Sequence, residues 1–178
     1  ERILFVRDVK VLEVTLCVLA GHSLCSRRRR VFIPYREEDV YYLPSRVVRT
    51  VGLAIKVSDD VLKSLDAEQR SRLLHTLSHA FLSRLPLATG LEAGDFAEAI
   101  DTERGEVLLY ENTRGGIGGI EGVLTREAGR LELNVSFEDQ VRGSVRCPLE
   151  CPTACRACLY SDSCYMLNWN LDRHLLIR

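Results

Sequence analysis

A chain of 178 residues and 20.1 kDa has the length of one domain, or of one domain with a small appendage. Its composition, 46% hydrophobic and 28% charged, excludes disorder and fibrous repeats, and a net charge of −1 excludes a uniformly basic nucleic-acid binder, so basic residues must cluster to matter. No run of about 18 apolar residues is present and no basic n-region with an apolar h-region opens the chain, so the expected location is the cytoplasm, with no membrane partner.

Val9 to Leu19, rich in Val and Leu with Glu13 and Thr15 interspersed, predicts a largely buried strand. Val31 to Pro34, Val40 to Leu43 and Val47 to Val57 are further short β-rich runs. Between the first two stand four consecutive arginines, Arg27, Arg28, Arg29 and Arg30. They form either a patch able to follow a phosphate backbone or a solvated face neutralised by Glu37, Glu38 and Asp39. Arginine supplies nearly all the basic residues, since Lys10, Lys56 and Lys63 are the only lysines. Its planar fork suits phosphate and carboxylate, although a GC-rich or hot-adapted genome produces the same bias.

Asp66 predicts a helix cap, with Ala67, Glu68 and Gln69 in helix-starting order. Leu73, Leu74, Leu77, Ala80 and Phe81 give that helix one apolar face, and Pro86 and Gly90 are expected to end it. On the same helix His75 and His79 are four apart and point the same way, as two metal ligands would. Thr76 stands where a zinc-protease motif needs Glu; the expectation is a polar pair packed and hydrogen-bonded against neighbouring strands. A β-hairpin follows, with Phe96 to Ile100 and Val107 to Tyr110 flanking a turn at 102–105.

The stretch Glu111-Asn-Thr-Arg-Gly-Gly-Ile-Gly-Gly119 leads into a helix pattern from Ile120 to about Ala128. Gly115, Gly116 and Gly118, with Arg114 beside them, suit either of two roles. Free backbone N–H groups near a helix start can cradle an anion such as a DNA phosphate, with a fork donor from Arg114; alternatively the glycines only permit positive φ and close packing. Glu121 in place of a third glycine excludes a dinucleotide fingerprint. Residues 130–146 are ambiguous and read as helix, and Asn170 is expected to cap a last short helix over 171–177. The one compositional boundary divides 1–146, an α+β domain, from 147–178, a metal-binding segment packed on it.

That segment holds five of the seven cysteines. Crowding of this kind without a secretion signal reads as metal binding before disulfides. Cys151-x3-Cys155-x2-Cys158-x5-Cys164 offers four thiolates to tetrahedral zinc, the short Cys155–Cys158 pair sharing one turn. Cys147 is an alternative ligand. Disulfides or an iron–sulfur cluster are the competing readings. A closed all-thiolate site has no position for water and is structural. Trp169 and Tyr165 beside it are expected to cover its small core, with stacking on an unpaired base the other possibility.

Three blocks together resemble one family: His75-Thr-Leu-Ser-His79-Ala80, Tyr110-Glu-Asn-Thr-Arg-Gly-Gly-Ile-Gly118, and the tail Cys151-Pro-Thr-Ala-Cys155-Arg-Ala-Cys158 with Cys164 and Asn168-Trp-Asn-Leu-Asp172. They are similar to the zinc-binding (MZB) domain that closes MrfA-type helicases and is also found in DrmB of the DISARM phage-defence system. The resemblance implies four zinc-bound cysteines and a non-catalytic accessory domain of a superfamily 2 DNA helicase, with DNA and the motor domain or subunit as partners, in DNA repair or anti-phage defence. Cys147 departs from it, because family members often carry Cys-Pro-Cys before the x3 spacing. The chain has neither a P-loop Gly-Lys-Ser/Thr nor a DEAH-type box, so any motor is expected outside it. Two other classes stay open. One is a protein-interaction module that docks on a motor without touching DNA. The other is a hydrolase built on His75, His79 and an acid such as Asp95 or Glu98, for which no activated nucleophile is visible.

Overall fold

Long Val- and Leu-rich runs favour extended backbone, and in the computed structural model they build the largest sheet. The structure describes residues 2–20, 23–29, 40–127, 130–164 and 166–177, with backbone alone for strand residues up to 48 and for 126, 127, 130 and 131. Arg30, the Val31 to Pro34 run, Glu37, Glu38, Asp39 and Tyr165 lie outside the described residues. Strand β1 (Arg2–Ala20) pairs antiparallel with β2 (Ser23–Arg29) on one side and β3 (Val40–Lys56) on the other. The two runs expected at 40–43 and 47–57 are one strand. Pro44, which lacks an N–H, sits where the register against Glu13 and Val14 shifts, the kind of irregularity that tolerates proline in a sheet.

The hairpin forms as predicted, with β4 (Phe96–Asp101) and β5 (Glu106–Glu111) in register. Asp101 Oδ1 holds the turn by accepting from the backbone N–H groups of Glu103 and Arg104 at 3.0 and 2.9 Å. β5 also pairs with β3, so the antiparallel order is β2-β1-β3-β5-β4.

Between β3 and β4 run α1 (Asp59–Lys63), α2 (Ala67–Leu82) and α3 (Leu85–Thr89). Asp66 caps α2 as expected, in a reciprocal box with Gln69. Pro86 does not end α2. It sits in the first turn of α3, where its missing N–H costs nothing, and Gly90 closes α3 in the left-handed region at φ 73°.

Helix α2 is the centre of the molecule. Leu74, Leu77 and Phe81 join Leu53, Ile55, Phe96, Val107 and Leu109 of the sheet in one core. Polar residues of α2 are buried as well: His75, Ser78 and His79 meet Glu98 of β4, while the C-terminal segment reaches His79 through Leu159 and Thr76 through Asp172. The single apolar face predicted for this helix is therefore only part of its buried surface.

Beyond β5 the helix expected over 120–128 is one turn only, α4 (Gly119–Gly122), followed by the hairpin β6 (Leu124–Glu127) and β7 (Arg130–Leu133). Gly122 is a poor helix interior residue, and Val123 and Thr125 are β-branched. Of the stretch 130–146, only α5 (Val135–Ser144) is helical; Asn134 starts it by accepting from the Phe137 N–H. Its Phe137 ring meets Phe81 edge-on at 6.1 Å. The last helix is a 3-10 turn, Arg173–Leu176, capped by Asp172, while Asn170 adopts φ 65°. The architecture is α+β, ending in a cluster of cysteines.

Candidate metal centre

The cysteine segment leaves α5 with little apolar content, so its backbone must be held by local hydrogen bonds and by whatever binds its sulfurs. Glu150, at φ 50°, turns the chain between Cys147 and Cys151, and its N–H donates to Cys147 O at 3.1 Å. The next turn brings the Cys155 N–H to 3.1 Å from Cys158 Sγ, while Cys158, Leu159 and Tyr160 all donate to Cys155 O.

These turns gather Cys147, Cys151, Cys155 and Cys158, whose sulfurs all lie within 4.8 Å of one another. Sulfur separations are 3.6 Å for Cys147–Cys155, 3.7 Å for Cys151–Cys158 and 3.8 Å for Cys155–Cys158. A zinc tetrahedron with bonds of about 2.3 Å has edges of about 3.8 Å. The donor set and its spacing therefore fit zinc, and these four residues would hold it.

Cys164, expected among the four ligands, is not in this group, and Cys147 takes its place. Five residues separate Cys164 from Cys158, and that segment turns inward on Asn168 rather than back to the knot. The Asn168 side chain accepts from the Ser161 N–H at 2.8 Å and donates to Ser161 O at 3.1 Å. Cys164 consequently points at α2, with its sulfur 3.4 Å from His75 Nε2.

Four sulfurs this close cannot all ionise without a cation between them. Burial, then the neighbouring Cys151 and Cys155 thiols, push Cys158 up to about 12, and burial with Cys147 also raises Cys151. The backbone of Cys151, followed by that of Leu149, holds Cys147 down at about 6. A divalent ion removes the repulsion and displaces the protons.

The knot is fastened to α2 and its C-terminal end. Arg84 Nη2 donates to Cys158 O at 2.7 Å and Ala157 O at 3.3 Å. Arg173 donates to Cys151 O through Nε and Nη2 at 3.1 and 3.0 Å. The Asp172 N–H reaches Thr76 Oγ1 at 3.1 Å, and its carboxylate meets Arg72 at 3.2 Å.

His75 and His79 do pack against a strand, as expected, and against more than that. Their rings meet edge-on at 4.6 Å. Glu98, alternating with Phe96 and Ile100 on the helix-covered face of β4, brings Oε1 to 3.8 Å from His75 Nε2 and 3.7 Å from His79 Nε2. Burial alone would lower the His79 imidazolium, but Cys164 and Glu98 outweigh it and raise His79 to about 10. Burial opposes ionisation of Glu98 and Cys164 too, yet the histidines prevail; Glu98 is lowered and Cys164 falls to about 6.

The glycine stretch resolves into a turn closed by its own carboxylate. Glu111 is fully buried and accepts from the N–H groups of Ile117, Gly118 (3.2 Å) and Ile120 (2.7 Å). Gly115 N–H donates to Arg49 O at 2.8 Å and Gly116 N–H to Thr113 O at 3.0 Å. The N–H groups of Gly115, Gly116 and Gly118, expected to suit a phosphate, are spent inside the protein. Sequence reading missed this role of Glu111, for which the available signal was an acid opening a glycine-rich helix start. Gly115, Gly116 and Gly118 have φ of 84°, 81° and 85°, and Arg114 is exposed. Arg27, Arg28 and Arg29 sit on β2 opposite Leu16, Thr15 and Val14, away from the cysteine segment in the chain. Trp169 does not cover the core; it is 72% exposed.

The family model of the MrfA Zn-binding domain, MZB, matches residues 77–159, a stretch that contains all four clustered cysteines. Residues 77–159 are thus similar to an MZB domain. The chain's fold is similar to that in a structure titled "Crystal Structure of DUF1998 helicase MrfA bound to DNA", with a TM-score of 0.51 and 16% identity over 97% of this chain and 25% of that one. It thus spans a quarter of that helicase chain's length. No curated protein matches the chain in sequence. No helix among the described residues is long and apolar enough to cross a membrane. The MZB domain is a zinc-binding domain of a helicase, and its four cysteines are positioned to hold a metal ion.

Proposed function

We propose that this chain is a non-catalytic, zinc-stabilised accessory part of a superfamily 2 DNA helicase, present in the same polypeptide as the motor or docked on it, that positions motor domains and DNA. The observation that carries this reading is the MZB match over the four convergent cysteines. Such a closed site suits a structural ion, because four protein thiolates leave no position for a substrate or an activated water. The family resemblance supports a setting in DNA repair or anti-phage defence, in the cytoplasm.

The C-terminal segment also presents apolar side chains to solvent, with Leu149 and Trp169 both 72% and Leu167 88% exposed. Exposed apolar groups of this size favour a partner surface, and Trp169 is also able to stack on a base. These side chains favour the second reading, docking on a motor surface without DNA contact.

Binding of the chain to single- and double-stranded DNA across a salt series separates the two. Phosphate contact predicts affinity that falls as salt rises, with a slope set by the number of phosphates neutralised. Loss of motor association in Trp169→Ala, with no measurable DNA affinity in the parent chain, supports docking alone. Absence of both DNA affinity and motor association refutes the accessory role.

A further inference from the structure

The histidine pair on α2 is the feature that the four-cysteine knot does not use. His75, His79, Glu98 and Cys164 place four donor atoms within 4.8 Å of one another, and all four residues are buried. We propose that they form a second metal site, structural and matched to zinc, which pins α2 to β4 and to the segment after the knot.

Outer contacts aim three of the four donors inward. The second nitrogen of His79, Nδ1, lies 2.8 Å from Leu159 O and donates to it, which leaves Nε2 facing the cluster. Ser78 donates its hydroxyl to Glu98 Oε2, leaving Oε1 facing the same point. The Asn168 N–H donates to Cys164 Sγ at 3.3 Å, and His75 Nε2 stands 3.4 Å from that sulfur. Such supporting bonds are what orients metal ligands. His79 Nε2 and Glu98 Oε1 themselves have no hydrogen-bond partner despite complete burial, and separations of 3.7 and 3.8 Å are beyond hydrogen bonding.

Charge and geometry agree on the occupant. A thiolate and a carboxylate buried together carry two negative charges, which a divalent ion neutralises and one proton does not. A zinc tetrahedron of two nitrogens, one oxygen and one sulfur has edges of about 3.3–3.6 Å, near the observed 3.4, 3.7 and 3.8 Å. The thiolate disfavours magnesium and calcium, and imidazole with thiolate favours zinc. Four protein donors with no exposed member leave no open coordination position, so the ion acts as a cross-link.

The test uses the purified chain, dialysed against a weak chelator to remove adventitious ions. Elemental analysis is expected to return two zinc ions per chain, and zinc-edge X-ray absorption an average shell of about 2.5 sulfurs and 1.5 nitrogens or oxygens. His79→Gln is expected to lose one ion and leave a sulfur-only shell, while Cys155→Ser loses the other and leaves the mixed shell. One ion per chain in a sulfur-only shell, or His79→Gln with unchanged content and shell, overturns the proposal. One ion in a mixed shell overturns the four-cysteine assignment and leaves this one standing; no zinc at all removes both. The absorption measurement needs only the parent chain, so it decides even if a variant does not fold.

Discussion

Glu111 offers the sharpest single perturbation, because its carboxylate alone serves the N–H groups of Ile117, Gly118 and Ile120. Glu111→Gln keeps the size and shape of the side chain but has one acceptor oxygen. If that oxygen stays on Ile120, the amide NH2 faces two N–H donors, and both lose their partner. A buried donor left unpaired costs about 1–3 kcal/mol. Ile117 and Gly118 border solvent, so water replaces part of the loss and the expected total is about 2–4 kcal/mol. For a chain of this length each kcal/mol lowers Tm by about 2–4 °C, giving a drop of roughly 4–16 °C. Urea unfolding followed by circular dichroism, with zinc content checked in both proteins, measures it. Glu106→Gln is the control: its pair with Lys56 spans 3.9 Å between half-exposed groups and is worth at most about 1 kcal/mol. A Glu111→Gln midpoint within error of the parent refutes the closed-turn account and returns those N–H groups to an external anion.

Metal affinity should depend steeply on pH. Near pH 7.5 Cys158, at about 12, and Cys151, raised above its ordinary 9.0, hold protons that zinc must displace, whereas Cys147 at about 6 has already lost its own. Releasing at least these two protons makes apparent affinity rise by at least about 100-fold per pH unit; chelator competition at several pH values checks this, and a slope below tenfold contradicts it. Arg84→Ala removes charge-assisted bonds to Cys158 O and Ala157 O, with an expected cost of about 1.5–3 kcal/mol and faster zinc loss to chelator. Unchanged release kinetics would argue that the knot does not depend on α2. Gly116→Ala combines φ 81° with a Cβ 2.8 Å from Val51 Cγ2 and 2.9 Å from Glu111 Oε2. It should lose about 1–3 kcal/mol in the same urea assay, while Gly118→Ala, with open space around it, should lose less.

The sequence by itself determined the features that depend on neighbours along the chain. The Asp66 cap, the 96–110 hairpin, the Cys155–Cys158 turn and the pairing of His75 with His79 each follow from spacings of two to five residues, over which backbone geometry fixes what can meet. The same local information misled where it competed with context: Asn134 rather than residue 130 starts α5, and Asp172 rather than Asn170 caps the last turn. Only the tertiary structure decided which sulfurs share a centre. Cys147 and Cys164 flank the same trio, and chain spacing admits either; the Asn168–Ser161 bonds turn Cys164 away, toward a helix 89 residues earlier. The exposure of Trp169 and the capture of the glycine-loop donors by Glu111 were likewise settled by packing, because burial and pairing are properties of surfaces brought together from distant parts of the chain.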